Sequence, residues 1–267
     1  MEQRSPEAPA IDLDARLTRG ETFRFACGPH VPCFTECCGK LDLALTPYDV
    51  LRLRQRLGMS SEEFLDAHTI IRWRTPHGFP EVMLRMDPAA GKRCPFVKPE
   101  GCSVYEDRPG ACRIYPLGRA ATTDAPGKPA REFFFTVREA HCRGFEETKE
   151  WTVGEWVDDQ GFEEYAAFSD LLMELYVIKS RRGGMNLTQQ HLQMFLMSCY
   201  DLEKFREFVV KSGFLKKFAL RPGLAANLKR DDLALLKFAF RWLKFAFFQE
   251  PTLTVKPAAM GKAKRRR

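Results

Sequence analysis

Cys27-Gly-Pro-His-Val-Pro-Cys33-Phe-Thr-Glu-Cys37-Cys38 opens a run of thiols. It continues as Cys94-Pro-Phe-Val-Lys-Pro-Glu-Gly-Cys102-Ser-Val-Tyr105-Glu-Asp-Arg108-Pro-Gly-Ala-Cys112-Arg113-Ile-Tyr-Pro116 and closes at His141-Cys142. Eight of the nine cysteines fall in this stretch, and only Cys199 lies outside it. Between Arg93 and Leu117 the prolines and glycines predict loop rather than regular structure. Irregular backbone suits a binding site, because it can carry thiols of unequal spacing to one point.

Residues Met1–Gly20 are polar, carry Glu2, Glu7, Asp12 and Asp14, and lack the apolar segment of a secretory signal. No uncharged apolar run approaches the ~18 residues of a spanning helix. The expectation is a cytoplasmic protein with no membrane span. There, clustered thiols stay reduced, and metal binding or redox chemistry explains them better than disulfides.

Thiolate selects zinc, copper(I) or iron–sulfur clusters over hard cations. Eight thiolates are twice what one tetrahedral zinc or one [4Fe–4S] cluster takes. The candidate ligands are Cys27, Cys33, Cys37, Cys38, Cys94, Cys102, Cys112 and Cys142. Side chains of the neighbours Cys37 and Cys38 diverge, so they serve different metals more comfortably than one. Paired C-x2-C knuckles of the zinc-ribbon kind are missing, which favours an iron–sulfur or polynuclear site over plain zinc. Lys40, Arg93, Arg108, Arg113 and Arg143 sit beside thiols in sequence and can offset thiolate charge. Arg108 and Arg113, with Tyr105, are the candidate cofactor-binding residues. His30 and His141 are possible replacement ligands. His30, Glu36, Tyr105, Glu106 and His141 are the available acid–base groups. Cys199, beside Leu196, Met197 and Tyr200, reads as core. The chain has no P-loop, no GxGxxG and no H-E-x-x-H.

Hydrophobic periodicity predicts an α+β fold: a small loop-rich cysteine-cluster domain followed by an α-helical C-terminal region. The expected divisions are a flexible lead-in (1–22), a metal-binding domain (23–148), a helical region (149–250) and a basic disordered tail (251–267). Short strands are expected at Phe23–Phe25, Leu41–Leu45, Ile70–Trp73, Val82–Met86 and Arg131–Arg138. Thr46 at N-cap, Pro47 at N1 and Gly58 frame a first helix, and Ser60 with Glu63 starts a second. Phe162–Lys179, Leu187–Phe208 and Asp231–Gln249 are the long C-terminal helices. The last of these carries a basic stripe of Lys237, Arg241 and Lys244. The net charge is +7, but Gly261–Arg267 alone supplies five positive charges. The body is nearly neutral, which argues against a specific nucleic-acid face. The C-terminal helices are the natural place for a protein partner.

Several stretches together resemble the YkgJ-type cysteine-cluster family, described as zinc- or iron-chelating. They are Cys37-Cys38, Leu45-Thr46-Pro-Tyr-Asp49-Val-Leu-Arg52-Leu, Cys94-Pro-Phe, Gly101-Cys102-Ser-Val-Tyr105-Glu-Asp-Arg108-Pro109 and Cys112-Arg113-Ile-Tyr-Pro116. The resemblance covers about residues 23–145. This chain departs from the family's C-x2-C-G-x-C-C opening by an added Gly-Pro-His-Val-Pro loop. The resemblance implies chelation, and an iron–sulfur cluster, [4Fe–4S], is the leading expectation, with a redox, sensing or structural role. A structural zinc module presenting a helical partner-binding region is the alternative. A third version is a cluster-dependent enzyme, since flagellin lysine methylases, which perform methyl transfer, carry a similar signature.

Overall fold

Thr46 begins the first helix as its side chain predicts. In the computed structural model, which describes residues 10–11, 16–73, 78–123 and 131–257, Thr46 Oγ1 accepts from the Asp49 amide. The Asp49 carboxylate accepts from the Thr46 amide at 2.7 Å. Helix α1, Pro47–Leu57, ends at Gly58, whose φ of 66° is the left-handed turn that glycine adopts without a steric penalty. Its apolar face, Val50, Leu51 and Leu53, is buried. Helix α2, Ser61–His68, starts from the Ser60–Glu63 capping box in the same way.

Among the described residues the strands form four small antiparallel sheets. In the first, β5 (Glu81–Leu84) runs between β3 (Ala44–Leu45) and β4 (Thr69–Arg72), with Leu45 opposite Val82 and Ile71 opposite Val82 on the other side. Val82, Met83 and Leu84 are all buried, because a central strand covered on both faces does not alternate. Ile70, Ile71 and Trp73 stay exposed along the edge strand. Met86 lies beyond the strand, and Pro76 lies outside the described residues. In the second sheet, β8 (Leu117–Thr122) pairs with β9 (Arg131–Arg138), whose other edge takes β1 (Ala10–Ile11). The insert at 125–130 lies outside the described residues. Strand β2 (Thr22–Arg24) pairs with β10 (Glu150–Thr152), putting Phe23 opposite Trp151. That pairing ties the chain before the first thiol to the chain after the last. The fourth sheet is the hairpin β6 (Val97–Lys98) with β7 (Gly101–Cys102).

The helical half follows as α4 (Val153–Asp159), α5 (Glu163–Arg181), α6 (Gln189–Tyr200), α7 (Leu202–Lys211), α8 (Leu224–Asn227) and α9 (Asp232–Phe248). Helix α9 packs on α5, α6 and α7, and α1 reaches α5, α6 and α9. The basic stripe on α9 is absorbed locally. Lys244 is buried and paired with Glu174, Lys237 lies over the Phe168 ring, and Arg241 donates to the Thr252 carbonyl. Cys199 is buried in the core. The buried apolar residues before and after residue 149 form a single cluster. The fold is α+β. No helix among the described residues is long and apolar enough to cross a membrane.

Three expectations change. Leu187–Phe208 is two helices, because Asp201 leaves helical geometry and its carboxylate accepts from the Lys204 amide to start α7. Part of the lead-in is pinned: Ala10–Ile11 sits on β9, and Leu17 exchanges backbone hydrogen bonds with Phe134 at 2.7 and 2.8 Å. The tail is ordered through its first residues, with Leu253 buried and Val255 bridged to Phe218, while 258–267 lies outside the described residues.

Candidate metal centre

The first thiol loop is built from successive tight turns. Val31 donates to Gly28, Phe34 to Val31, Glu36 to Cys33, and Cys38 to the Thr35 carbonyl. Thr35 takes a left-handed φ of 69° just before the single turn Glu36–Cys38. This compact path brings Cys33, Cys37 and Cys38 together despite their uneven spacing. The Cys94 amide then donates to the Cys38 carbonyl at 2.7 Å, docking the second loop on the first. Cys94 closes a turn into β6, and Cys102 ends β7 directly opposite Val97. Cys112 sits in the short helix α3, Gly110–Ile114. Cys142 follows β9 in a turn, and the next amide, Arg143, donates to Cys33 Sγ at 3.1 Å. The Ala26 amide bonds the Gly144 carbonyl at 3.1 Å, so the first and last thiol loops lie side by side.

Seven of the eight thiols fall into two neighbouring groups; Cys38, hydrogen-bonded to the Cys37 thiol rather than diverging from it as expected, and bonded to Cys94 through the backbone, links them. Cys27, Cys33, Cys37 and Cys142 line one small pocket, shared with Phe25, Tyr115 and His141. Cys94, Cys102 and Cys112 act on one another electrostatically. Cys37 faces both groups, since it raises the pKa of Cys27 and Cys142 as well as of Cys102 and Cys112. Partial desolvation of the sulfur, followed by Cys37, Cys33 and Cys142, pushes the Cys27 thiol up to about 11, although the residue keeps exposed surface. Cys37 is raised first by its hydrogen bond with Cys38 and then by burial. Cys112 is raised by burial and then by Cys94, although the residue keeps exposed surface.

Opposing these shifts, backbone amides point at sulfur. Phe96 and Val97 do so at Cys94, Val104 at Cys102 and Gly144 at Cys142; burial still wins at each thiol. Amides two and three residues beyond a cysteine stabilise negative sulfur, which is the condition a bound soft metal imposes. All nine cysteines are free thiols. Among the described residues, no three His, Cys, Asp or Glu side chains already stand at metal-ligand geometry. Soft donors in two groups with amides behind them fit a soft metal or an iron–sulfur cluster, and the hard cations have no comparable donors here.

The charged candidates divide. Arg108 is buried near Cys102 and Cys112, stacks at 3.8 Å over the exposed Tyr105 ring, and donates to the Tyr105 carbonyl at 2.6 Å. Arg113 instead spends its guanidinium on the Gln160 and Glu106 carbonyls, both at 2.5 Å, and lies over Tyr165. It fastens the Cys112 helix to the turn between α4 and α5. Arg93 donates to Thr35 beside the first loop. His141 reaches the pocket and pairs with Glu139 at 3.4 Å. His30 folds back on Gly28, and Glu36 and Glu106 point to the surface.

Four residues with roles at the centre escaped the sequence reading. Asp49, read only as a helix cap, also accepts from the Gly110 amide at 2.7 Å and so anchors the Cys112 helix on α1. Arg52 adds a bond to Asp107 at 2.5 Å. Glu139 acts on Cys37, and Tyr115 lies in the pocket. The Thr46-Pro-Tyr-Asp49 and Arg108-Pro109 stretches, far apart in sequence, are two sides of one clamp. Only the shared motif hinted at that.

Residues 26–153 match a family model, CxxCxxCC, described as "Putative zinc- or iron-chelating domain". No curated protein and no solved structure matches the chain significantly.

Proposed function

We propose that this chain, whose residues 26–153 match the model of a zinc- or iron-chelating domain, is a metal-binding protein that holds iron–sulfur chemistry between its two thiol groups. Cys27, Cys33, Cys37 and Cys142 are the ligands of one group, and Cys38, Cys94, Cys102 and Cys112 of the other. The observation that carries this reading is the gathering of eight free thiols, four of which, Cys33, Cys94, Cys102 and Cys142, have a backbone amide directed at sulfur. An iron–sulfur centre, [4Fe–4S] in the simplest case, supplies one-electron transfer or redox sensing when bound. The protein's own residues do the rest. The turns of 28–38 fix the spacing of the first ligands, and the hairpin β6–β7 holds Cys94 and Cys102. Arg108 offsets thiolate charge, while Phe25 and Val31 exclude water from one side of the pocket. Residues 149–250 frame the site through Gln160, and a reducing cytoplasm keeps its thiols available.

The test is elemental analysis with an absorption spectrum on protein purified without oxygen. Iron with acid-labile sulfide and a broad band near ~400 nm supports the reading. Stoichiometric zinc without colour overturns the cluster and leaves a structural zinc module.

A further inference from the structure

We propose that the Tyr115 hydroxyl is a hydrogen-bond donor to the Cys142 sulfur and tunes the metal held there. The inference rests on Cys142 being a ligand as argued above. The Tyr115 hydroxyl is shielded from solvent and has no partner at strict hydrogen-bond geometry among the described residues. The Cys142 thiol lies within looser reach of it. Both residues line the pocket that also holds Cys27, Cys33 and Cys37. The half-buried tyrosine ring packs edge-on against the buried Phe25, with centroids 5.9 Å apart.

A buried phenol without an acceptor is an unusual thing to retain. A neutral thiol is a poor acceptor, whereas a metal-bound thiolate is a good one. The site therefore completes the hydroxyl's bonding when the sulfur carries metal. The same group already has an amide donor to Cys33 Sγ, from Arg143 at 3.1 Å. The hydroxyl adds a side-chain donor on the neighbouring sulfur. Tyr105, the tyrosine that stands out in the sequence, is exposed and stacked beneath Arg108, so the tuning position belongs to Tyr115.

Donation to a ligating sulfur lowers the energy of its lone pairs. Losing it should move the sulfur-to-metal charge-transfer absorption to longer wavelength and loosen the metal. The experiment compares the full chain with Tyr115→Phe, each carrying its native metal, or cobalt(II) if that metal is zinc. Tyr115→Phe should shift the band to longer wavelength and speed metal release to a chelator by about tenfold. Tyr165→Phe removes another buried hydroxyl without a strict partner and should leave both readouts alone. A fluorinated tyrosine at 115, a stronger donor of the same shape, should shift the band to shorter wavelength, and it decides the matter if Tyr115→Phe fails to fold. An unchanged band in the position-115 variants, or an equal shift in Tyr165→Phe, overturns the assignment. Wild-type protein that takes up neither its own metal nor cobalt would overturn the metal reading itself, a distinct outcome.

Discussion

Asp49 does two jobs with one carboxylate, capping α1 through Thr46 and receiving the Gly110 amide. Asp49→Ala leaves those donors unsatisfied, and we expect a loss of about 2–4 kcal/mol of stability with looser retention of metal at Cys112. Asp49→Asn keeps one acceptor oxygen and should lose less. Denaturant midpoints of the two variants check the ranking. Titration gives a second expectation. The Cys27 thiol is pushed up to about 11 from an ordinary 9.0. A raised thiol pKa means the fold favours the neutral form. The contribution to stability of the metal-free protein is therefore intact below the ordinary value and lost as pH rises through 11. Thermal melts of metal-free protein should fall across that window, while metal uptake, which requires thiolate, should strengthen as pH rises. A flat melting profile from pH 8 to 11 would contradict the assignment. At this scale the capping residues were legible because their partners lie three positions away. The bonds of Arg113 to Gln160 and of Asp49 to Gly110 were not, since nothing local in sequence announces a partner that distant.

The elements that matter most are the loops bearing thiols, and their packing is tight where the first and last meet. A Cβ on Gly144 would stand 2.4 Å from the Phe25 ring and 2.6 Å from the Ala26 carbonyl. Gly144→Ala must part the Cys142 loop from the Cys27 loop, at a cost of about 1–3 kcal/mol. Metal bound by Cys27, Cys33, Cys37 and Cys142 should be lost before metal bound by Cys94, Cys102 and Cys112. Graded chelation of the variant checks that order. Element existence followed from periodicity and caps, so α1, α2 and β9 fall where their residues predict. The break at Asp201 escaped because apolar spacing continues on both sides of it, and only the carboxylate's bond to Lys204 marks the new start. The buried central strand β5 likewise hides its face, with three consecutive apolar residues inside.

Across the molecule, one core joins a sheet-and-loop front to a helical back, so the thiol loops rest on a frame much larger than themselves. The family signature in the sequence marked the thiol-bearing stretches as zinc- or iron-chelating. It could not divide eight thiols into groups, because that division depends on which loops touch. The basic residues of 261–267 lie outside the described structure, and their removal should leave metal content unchanged.

The most direct test of the central claim is metal content per chain, measured in parallel for wild type, Cys142→Ser, Cys102→Ser and Cys199→Ser. Two ligand groups predict that Cys142→Ser and Cys102→Ser each lose about half of the metal, as removal of one of four thiolate ligands implies. Cys199, buried in the helical core, should lose none. Full metal content in both Cys142→Ser and Cys102→Ser, or an equal loss in Cys199→Ser, would contradict the account.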